Sequence, residues 1–372
     1  MAQEEALYWL ALSRAPGIGP KRFFRLLEAF GGAGEAWTAS PALLTGVLGR
    51  QPARELLAYR RAVNVEEEWE KLKTKGIKCL LYPEEKYPKL LKTIPDPPPV
   101  LYYTGEFQSE DQWAVAVVGS RSATPGGLEF TRELAADLAA HGITVVSGLA
   151  RGIDTAAHRG ALMAAGGRTI AVLGSGLDRI YPRENQELAR EISRRGAVCS
   201  EFPPGTEPLP GNFPVRNRII SGLSLGVVVV EAAADSGSLI TAEHALEQGR
   251  EVFAVPGPVT RKANQGSNRL LKQGAALVEG VADILAALNL PFPAGVETAT
   301  ATETAGKGQP AGLTAAEAEV WQLLADGPCH IDLLVRESGL PASEVAAALA
   351  LLELKGLVAT VATKTYQRLS YK

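Results

Sequence analysis

The 372-residue chain has few cysteines, a small net charge and no long apolar run near its start. Its three cysteines, Cys79, Cys199 and Cys329, lie far apart, with the spacing of neither a disulfide framework nor a zinc site. The net charge of −3 excludes a polycationic protein, so any nucleic-acid binding must come from a local patch. The acidic first residues carry no signal-peptide or membrane-spanning pattern, and we expect a cytoplasmic protein without membrane contact.

Two common nucleotide-binding motifs are absent as well. Residues 119–126 read Gly-Ser-Arg-Ser-Ala-Thr-Pro-Gly where a dinucleotide-binding loop has Gly-x-Gly-x-x-Gly, and no Walker A motif occurs. We therefore expect neither NAD nor ATP, and no other cofactor or metal ion. No Ser/His/Asp set, Cys/His set or carboxylate pair stands out. His158 fits a general base or a structural histidine, and Asp154 fits a helix cap.

The composition divides the chain into several parts. Residues 1–60 have apolar residues at helical spacing, and their Gly-Ile-Gly segment fits either a plain αα-hairpin or the hairpin of helix-hairpin-helix and sterile-alpha-motif-like (SAM-like) modules. Residues 61–290 read as an extended Rossmann-like domain whose core is 113–288. Residues 291–312 are rich in Ala, Thr, Gly and Pro without periodicity, which predicts a flexible linker.

Residues 313–372 have the pattern of a winged-helix domain. Three helical patterns come first, at 317–324, 331–338 and 343–355, and a short strand follows at 357–361. The third helix holds the recognition position but carries almost no positive charge. We therefore expect it to contact protein or to serve autoregulation, and not to read duplex DNA.

The region 113–288 alternates short apolar segments with amphipathic helices, which predicts a doubly wound parallel sheet of the α/β class. The valines at 227–230 predict a central strand buried on both faces. A Pro- and Tyr-rich connector over 61–110 is expected to be extended and to pack on this domain. The predicted strands are 114–118, 143–147, 169–173, 198–200, 225–231 and 251–255. The predicted helices are 127–141, 154–165, 184–195 and 238–248.

The loops after these strands are rich in glycine, serine and arginine. In an open parallel sheet, ligands bind at the carboxyl ends of the strands, and glycine lets the backbone approach a phosphate closely. Arg121, Arg151 and Arg183 lie in or just past three of these loops. The segment 151–220 contains ten arginines, no lysine and seven acids, a net charge of 10 − 7 = +3. This pattern indicates an extended anionic ligand.

Another basic segment follows a Pro- and Gly-rich loop. Pro214 stands just before a predicted helix, with Arg216 and Arg218 on either side of Asn217 in its first turn. A helix N-terminus and two arginine forks match phosphate oxygens, and the neighbouring Phe213 offers a ring face to a base. We expect both arginines to face solvent. A plain helix cap with surface arginines paired to nearby acids also fits the segment.

Taken in chain order, these loops closely resemble the DNA-processing protein A family (DprA, also called Smf). The helical N-terminal part and the winged helix fit this family too, so the resemblance spans nearly the whole chain. The motifs that carry it are Gly119-Ser120-Arg121, Ser147-Gly148 through Ala157-His158, Ile180-Tyr181-Pro182, Phe213 through Ser224, Glu231-Ala232, Ser236 through Ala242, and Val255-Pro256-Gly257.

The resemblance implies a protein without catalytic activity that binds and protects single-stranded DNA. It would load the RecA recombinase onto that strand in natural transformation or homologous recombination, and form a homodimer through its Rossmann-like domain. It implies a charged groove with a stacking platform, which tolerates any sequence. Lysine is found in the family at the position of Arg183, which keeps the charge. The implied DNA-binding residues are Gly119, Ser120, Arg121, Ser147, Gly148, Arg151, Arg183, Phe213, Arg216, Asn217, Arg218, Ser236, Gly237 and Ser238.

One class of enzyme shares this type of sheet and is the alternative. Nucleotide phosphoribohydrolases of the LOG or lysine-decarboxylase-like family use a Pro-Gly-Gly-x-Gly-Thr loop after a buried strand. This chain has Ser-Gly-Ser-Leu-Ile-Thr at 236–241. Ile240 stands where that loop has its last glycine and would block the close approach of a phosphate, which counts against the enzyme.

Overall fold

The computed structural model describes residues 3–290, 313–324, 329–355, 357–362 and 365–368. The chain divides into two compact units, Met1–Pro293 and Ala294–Lys372. The linker predicted over 291–312 lies outside the described residues. Within the described part of the chain, no helix is both long and apolar enough to cross a membrane.

Six helices begin the first unit: α1 (Gln3–Arg14), α2 (Pro20–Phe30), α3 (Ala33–Thr38), α4 (Pro41–Leu48), α5 (Arg50–Ala62) and α6 (Val65–Thr74). Pro20 is the first residue of α2, a position whose N–H has no partner within a helix, so proline loses no hydrogen bond there. Gly31 caps the other end of α2 with a φ of 86°. The Glu5 carboxylate accepts hydrogen bonds from the N–H groups of Ala33 and Gly34 at 2.7 and 3.1 Å. A side chain of α1 thus caps the first turn of α3.

A nine-stranded sheet carries the rest of the first unit. The strand order is β1-β2-β6-β5-β4-β3-β7-β8-β9, parallel from β6 to β9, with β1 and β2 antiparallel at one edge. The strands are β1 (Lys78–Leu81), β2 (Val100–Gly105), β3 (Ala114–Val118), β4 (Thr144–Ser147), β5 (Thr169–Val172), β6 (Ala197–Ser200), β7 (Gly226–Val229), β8 (Glu251–Ala254) and β9 (Ala276–Leu277).

Helices cover both faces of this sheet. Along β3, Ala114, Ala116 and Val118 belong to one apolar core, whereas Val115 and Val117 belong to the core on the other face. The first core contains residues of α7, α11, α12 and α13, and the second contains residues of α8, α9 and α14. The helices are α7 (Lys89–Lys92), α8 (Pro125–Ala140), α9 (Ile153–Met163), α10 (Gln186–Arg195), α11 (Asn212–Gly222), α12 (Ser238–Glu247), α13 (Gln265–Lys272) and α14 (Val281–Ala287).

The predicted doubly wound parallel sheet is confirmed, and its six predicted strands are β3 to β8. The prediction for 61–110 was incomplete, because this segment contains α6, α7, β1 and β2 in addition to extended chain. Strand β2 pairs antiparallel with β6 and places Tyr102 beside Ser200. Tyr102 then shares an apolar core with Leu10 and Phe23 of the N-terminal helices. The added strands therefore join those helices to the sheet.

The second unit has the three predicted helices in order, but a two-residue strand that was not predicted stands between the first and second helices, and two strands follow the third where one was expected. Its elements form a separate apolar core that includes Val320, Leu334 and Leu349. Thr314 caps the first helix, since its hydroxyl accepts from the N–H of Glu317 while the Glu317 carboxylate accepts from the N–H of Thr314. The elements are α15 (Ala315–Leu323), β10 (Cys329–His330), α16 (Ile331–Ser338), α17 (Ala342–Leu354), β11 (Val358–Ala362) and β12 (Thr365–Arg368).

Candidate nucleic-acid interface

A cavity of about 610 Å³ opens at the carboxyl edge of the parallel strands. The loops after β3, β4 and β7 line it, together with the start of α11 and residues from the loops after β5 and β6. This is the edge at which an open parallel sheet binds its ligands. Most of the residues predicted for the site line the cavity: Gly119, Ser120, Arg121, Phe213, Arg216, Asn217, Ser236, Gly237 and Ser238.

One arginine and two aromatic rings stand together in this cavity. The guanidinium carbon of Arg121 is 5.2 Å from the centroid of the Phe213 ring. The Tyr181 ring lies 5.8 Å from the same ring at an angle of 51°. Phe213 rests against Gly174, where a Cβ would come within 3.0 Å of the ring. Arg121 and Tyr181 are exposed and Phe213 is half-buried, so a cation and aromatic surface reach solvent together.

A buried carboxylate fixes the loop that carries Arg121. Glu231, which follows β7, accepts hydrogen bonds from the N–H and the hydroxyl of Thr124 at 2.9 and 2.7 Å. The Thr124 hydroxyl in turn accepts from the N–H of Gly127 at 3.1 Å and caps α8. A Cβ at Gly127 would lie 2.6 Å from the Glu231 carboxyl carbon. The end of β7 thus holds the loop after β3 in place.

The expectation that Arg216 and Arg218 face solvent is wrong. Helix α11 begins at Asn212, so Pro214 lies inside its first turn and not before it. The exposed fractions of Arg216 and Arg218 are only 3% and 4%. Both side chains are therefore occupied with partners inside the protein.

Arg216 binds the carboxyl ends of two neighbouring strands. Its Nη1 donates to the carbonyl oxygen of Gly148, just after β4, at 2.8 Å, and to that of Val172, which ends β5. A Cβ at Gly148 would lie 2.5 Å from the guanidinium, so glycine alone leaves room for it. Burial lowers the pKa of Arg216 to about 10, against the opposing effect of the nearby Asp154 carboxylate.

Asp154 orders the loop after β4. It is the second residue of α9, and its Oδ2 accepts from the N–H groups of Gly148 and Ala150 at 3.2 and 3.3 Å. Burial raises the pKa of Asp154, while Arg216 works in the opposite direction. The expected role as a helix cap is wrong, because these bonds go to residues before the helix.

Arg218 anchors α11 to neighbouring segments and does not line the cavity. Its Nη1 and Nη2 donate to the two carboxylate oxygens of Glu201 at 3.0 and 2.7 Å, and its Nε donates to Asp96 at 3.1 Å. Burial raises the pKa of Glu201, and the charge of Arg218 lowers it. This network ties α11 to the loop after β6 and to the segment before β2.

Ser147 and Gly148, two of the implied DNA-binding residues, do not line the cavity. Ser147 is fully buried at the end of β4, and its hydroxyl donates to the carbonyl of Val117 at 2.7 Å. The N–H of Gly148 is used by Asp154. Both residues therefore stabilise the structure next to the cavity and are not part of its lining.

Arg151 and Arg183 are exposed but do not line the cavity. Arg151 makes two hydrogen bonds to Glu184, from Nε to Oε1 at 2.6 Å and from Nη2 to Oε2 at 2.8 Å. A surface pair of this kind contributes little to stability, so Arg151 can exchange Glu184 for another anion.

The Ser236–Ser238 turn lies at the start of α12. Gly237 is the cap residue, and no side chain caps this helix. The Ser236 hydroxyl lies 2.8 Å from that of Ser238 and accepts from the Ser238 N–H at 3.4 Å. Asn217 donates from Nδ2 to the carbonyl of Gly237 at 3.2 Å, which joins α11 to this turn.

His158 is buried behind the loops and acts structurally. Its Nδ1 lies 2.7 Å from the hydroxyl of Thr169, which itself donates to the carbonyl of Val145 at 2.6 Å. The ring therefore donates from Nδ1. Burial and, after it, the charge of Arg216 lower the pKa of His158 to about 3. The histidine is neutral at pH 7 and does not reach the cavity.

Sequence reasoning missed several cavity residues: Pro208, Pro210, Tyr181, Ile240 and Thr241. Tyr181 had a usable signal, as an aromatic residue soon after the loop that follows β5. The prolines belong to a loop whose course depends on tertiary packing.

Family models match three segments of the chain. The model described as DNA recombination-mediator protein A matches residues 78–289, which is more than half of the chain. A DprA-like N-terminal HHH domain matches 3–64, and a DprA winged helix domain matches 304–362. The chain belongs to the DprA/Smf family.

Relatives in the DprA/Smf family match over most of their length. Protein Smf of Synechocystis sp. is 36% identical over 398 residues, which cover 99% of this chain and 100% of the relative. Protein Smf of Escherichia coli is 40% identical over 318 residues, covering 85% of this chain and 84% of the relative. The resemblance stated from the loop motifs is thereby confirmed.

Two solved DprA structures share this fold. The X-ray structure of DprA from Streptococcus pneumoniae has a TM-score of 0.68 and 35% identity, covering 78% of this chain and 99% of that one. A structure of Helicobacter pylori DprA, described as giving insight into its single-stranded DNA binding mode, has a TM-score of 0.52 and 32% identity. It covers 57% of this chain and 95% of that one.

The buried position of Arg218 predicts a structural phenotype for this DprA/Smf protein. We expect Arg218→Met to lower the free energy of unfolding by about 3–5 kcal/mol, because Glu201 would be left buried without its partner. Urea denaturation measures this, with the exposed Arg183→Met as the control, expected to stay within about 0.5 kcal/mol. A loss below about 1 kcal/mol in Arg218→Met would show that the pair behaves as a surface ion pair.

His158 predicts a pH dependence of stability. Its pKa in the folded protein, about 3, lies below its ordinary value of 6.5. At a pH between these two values, the unfolded chain therefore binds one more proton than the folded protein. The contribution of His158 to the free energy of unfolding is complete above pH 6.5 and is lost as the pH falls toward 3. We expect His158→Asn to remove a slope of up to about 1.4 kcal/mol per pH unit. Equal slopes in parent and variant, from denaturation at a series of pH values, would contradict this.

Proposed function

We propose that this chain binds single-stranded DNA in the cavity at the carboxyl edge of its sheet and carries out no catalysis there. It holds the strand for loading of RecA during natural transformation or homologous recombination, works in the cytoplasm, and forms a homodimer through its Rossmann-like domain. Membership of the DprA/Smf family supports all of these points. The cavity supports the first of them independently.

The observation that carries the proposal is the position of Arg121 over Phe213, beside Tyr181. An aromatic face with an adjacent guanidinium suits a base and its phosphate, because the base stacks on the ring while the cation attracts the phosphate. Stacking is possible for every base, so this arrangement binds single strands with little sequence preference. In a duplex the bases are already stacked on each other and cannot reach a ring inside a cavity.

The walls of the cavity favour a nucleic-acid strand over the phosphoribohydrolase alternative. The side chain of Ile240 lines the cavity at the position where the enzyme loop has its last glycine. A branched side chain at that position keeps a phosphate away from the backbone. Asp154, the cavity carboxylate, is already bound to two backbone N–H groups and lies beside Arg216.

Binding of a fluorescent oligo-dT across a salt series tests the proposal. We expect Arg121→Ala to weaken binding and to lower the slope of log K against log salt by about 0.7, the value for one phosphate contact on a single strand. We expect Phe213→Ala to lose about 1–3 kcal/mol of binding free energy without a change of slope, since it removes stacking alone.

The control is Arg159→Ala, which removes an exposed cation of α9 outside the cavity. It should bind like the parent. Parent-like affinity in both Arg121→Ala and Phe213→Ala would reject the site. Equal affinity for a duplex of the same length would reject single-strand recognition, and cleavage of nucleoside monophosphates would favour the enzyme.

A further inference from the structure

A basic segment without acids runs past the candidate site. Residues 252–278 contain four cations, Arg261, Lys262, Arg269 and Lys272, and no aspartate or glutamate. In contrast, the segment 151–220 has seven acids for its ten arginines. Uncompensated charge of this kind attracts anions over a distance of about 10 Å at moderate salt.

This segment adjoins the rim of the cavity. Strand β8 pairs in parallel with β7, so the loop after β8 lies next to the loop after β7, about one strand spacing or 4.8 Å away. The N–H of Gly266 donates to the carbonyl of Ala232 at 2.7 Å. A Cβ at Gly266 would lie 2.5 Å from the carbonyl oxygen of Ala233, a cavity residue. The first turn of α13, which directly follows the β8 loop, is therefore in contact with the β7 loop.

The loop after β8 is held rigidly. Asn268 accepts from the N–H of Gly257 at 3.2 Å and donates to its carbonyl at 2.9 Å. Asn264 is buried, and a Cβ at Gly257 would lie 1.2 Å from its Nδ2, so no other residue fits there. A backbone held in this way reduces the ordering cost of binding to that of the side chains.

This loop exposes two cations and one apolar side chain to solvent. Val259 is 83% exposed, and Arg261 and Lys262 are exposed at the start of a short 3₁₀ helix, Lys262–Asn264. Neither cation forms an ion pair with any acid in the described part of the chain. Neither has to give up an acidic partner to bind a ligand, in contrast to Arg151, which is paired with Glu184, and to Arg218, which is buried with its partners.

We propose that Arg261 and Lys262 bind the phosphates of a single strand that leaves the cavity across the Ala232–Ala233 rim. This rests on the proposed function and adds a direction to it: the strand runs from the Arg121 loop over the β7 loop to the β8 loop. Three adjacent parallel strands thus present three successive binding loops. The exposed Val259 gives the sugar or base of a passing nucleotide an apolar contact.

The test compares two lengths of oligo-dT on the full chain. The variant Arg261→Glu/Lys262→Glu is measured with strands of about 4 and about 20 nucleotides, the shorter one able to occupy the cavity alone. We expect roughly tenfold weaker binding of the longer strand, and a salt slope lower by about 0.7 for each lost contact. The affinity for the shorter strand should be unchanged.

The matched control is Arg159→Glu/Arg194→Glu, which makes the same change of net charge in the second half of α9 and at the end of α10. It should bind both strands like the parent.

The proposal is overturned if the control variant weakens binding of the longer strand as much as the test variant does. It is also overturned if the test variant weakens binding of both strand lengths equally, or leaves binding of the longer strand unaffected. Sedimentation of the variant adds one more rejecting outcome, a change of oligomeric state, which would make the patch a subunit contact. Failure of the parent to bind either strand would instead reject the proposed function.

Discussion

The buried guanidinium of Arg216 holds together the edge of the sheet on which the candidate site is built. It reaches from α11 to carbonyl oxygens at the ends of β4 and β5, and it lies against Gly148, the residue with room for it. Asp154 lies beside it and accepts hydrogen bonds from two N–H groups of the same loop. Because Phe213 and Asn217 are on the same helix as Arg216, this contact also sets where the aromatic ring and the amide stand relative to the loops. The buried charge of Arg216 thus sets the shape of the cavity without itself having to contact a ligand.

The arginines of this protein therefore divide by environment. Arg216 and Arg218 are buried with carbonyl or carboxylate partners, and Arg151 is paired at the surface. The net charge of +3 in 151–220 is not changed by this burial, because two acids of the segment, Asp154 and Glu201, are turned inward with the two arginines. Exposed positive charge at the carboxyl edge comes from Arg121, from Arg151 and Arg183 in the loops after β4 and β5, and from the acid-free segment after β8. A site of this kind attracts DNA through few cations and gains the rest of its affinity from stacking.

The sequence predicted the parallel sheet well, because a run such as Val227–Val230 is compatible with little besides a buried strand. It did not predict β1 and β2, whose short apolar segments are flanked by prolines; β2 becomes a strand by pairing with β6, and β1 by pairing with β2. It also could not tell Arg121 from Arg216, since both follow glycine- or proline-containing loops and both suit phosphate. What separates them is Gly148, which accommodates one guanidinium from a helix 68 residues further along the chain. That relation belongs to tertiary structure and leaves no local pattern.

The most direct measurement is the salt dependence of oligo-dT binding by Arg216→Gln, at a temperature where the variant is shown to be folded. If Arg216 shapes the cavity and does not touch the strand, the variant binds more weakly while the slope of log K against log salt stays at the parent value. If Arg216 contacts a phosphate, the slope falls by about 0.7, as for any lost contact on a single strand. That second result would contradict the division between buried anchors and exposed contacts.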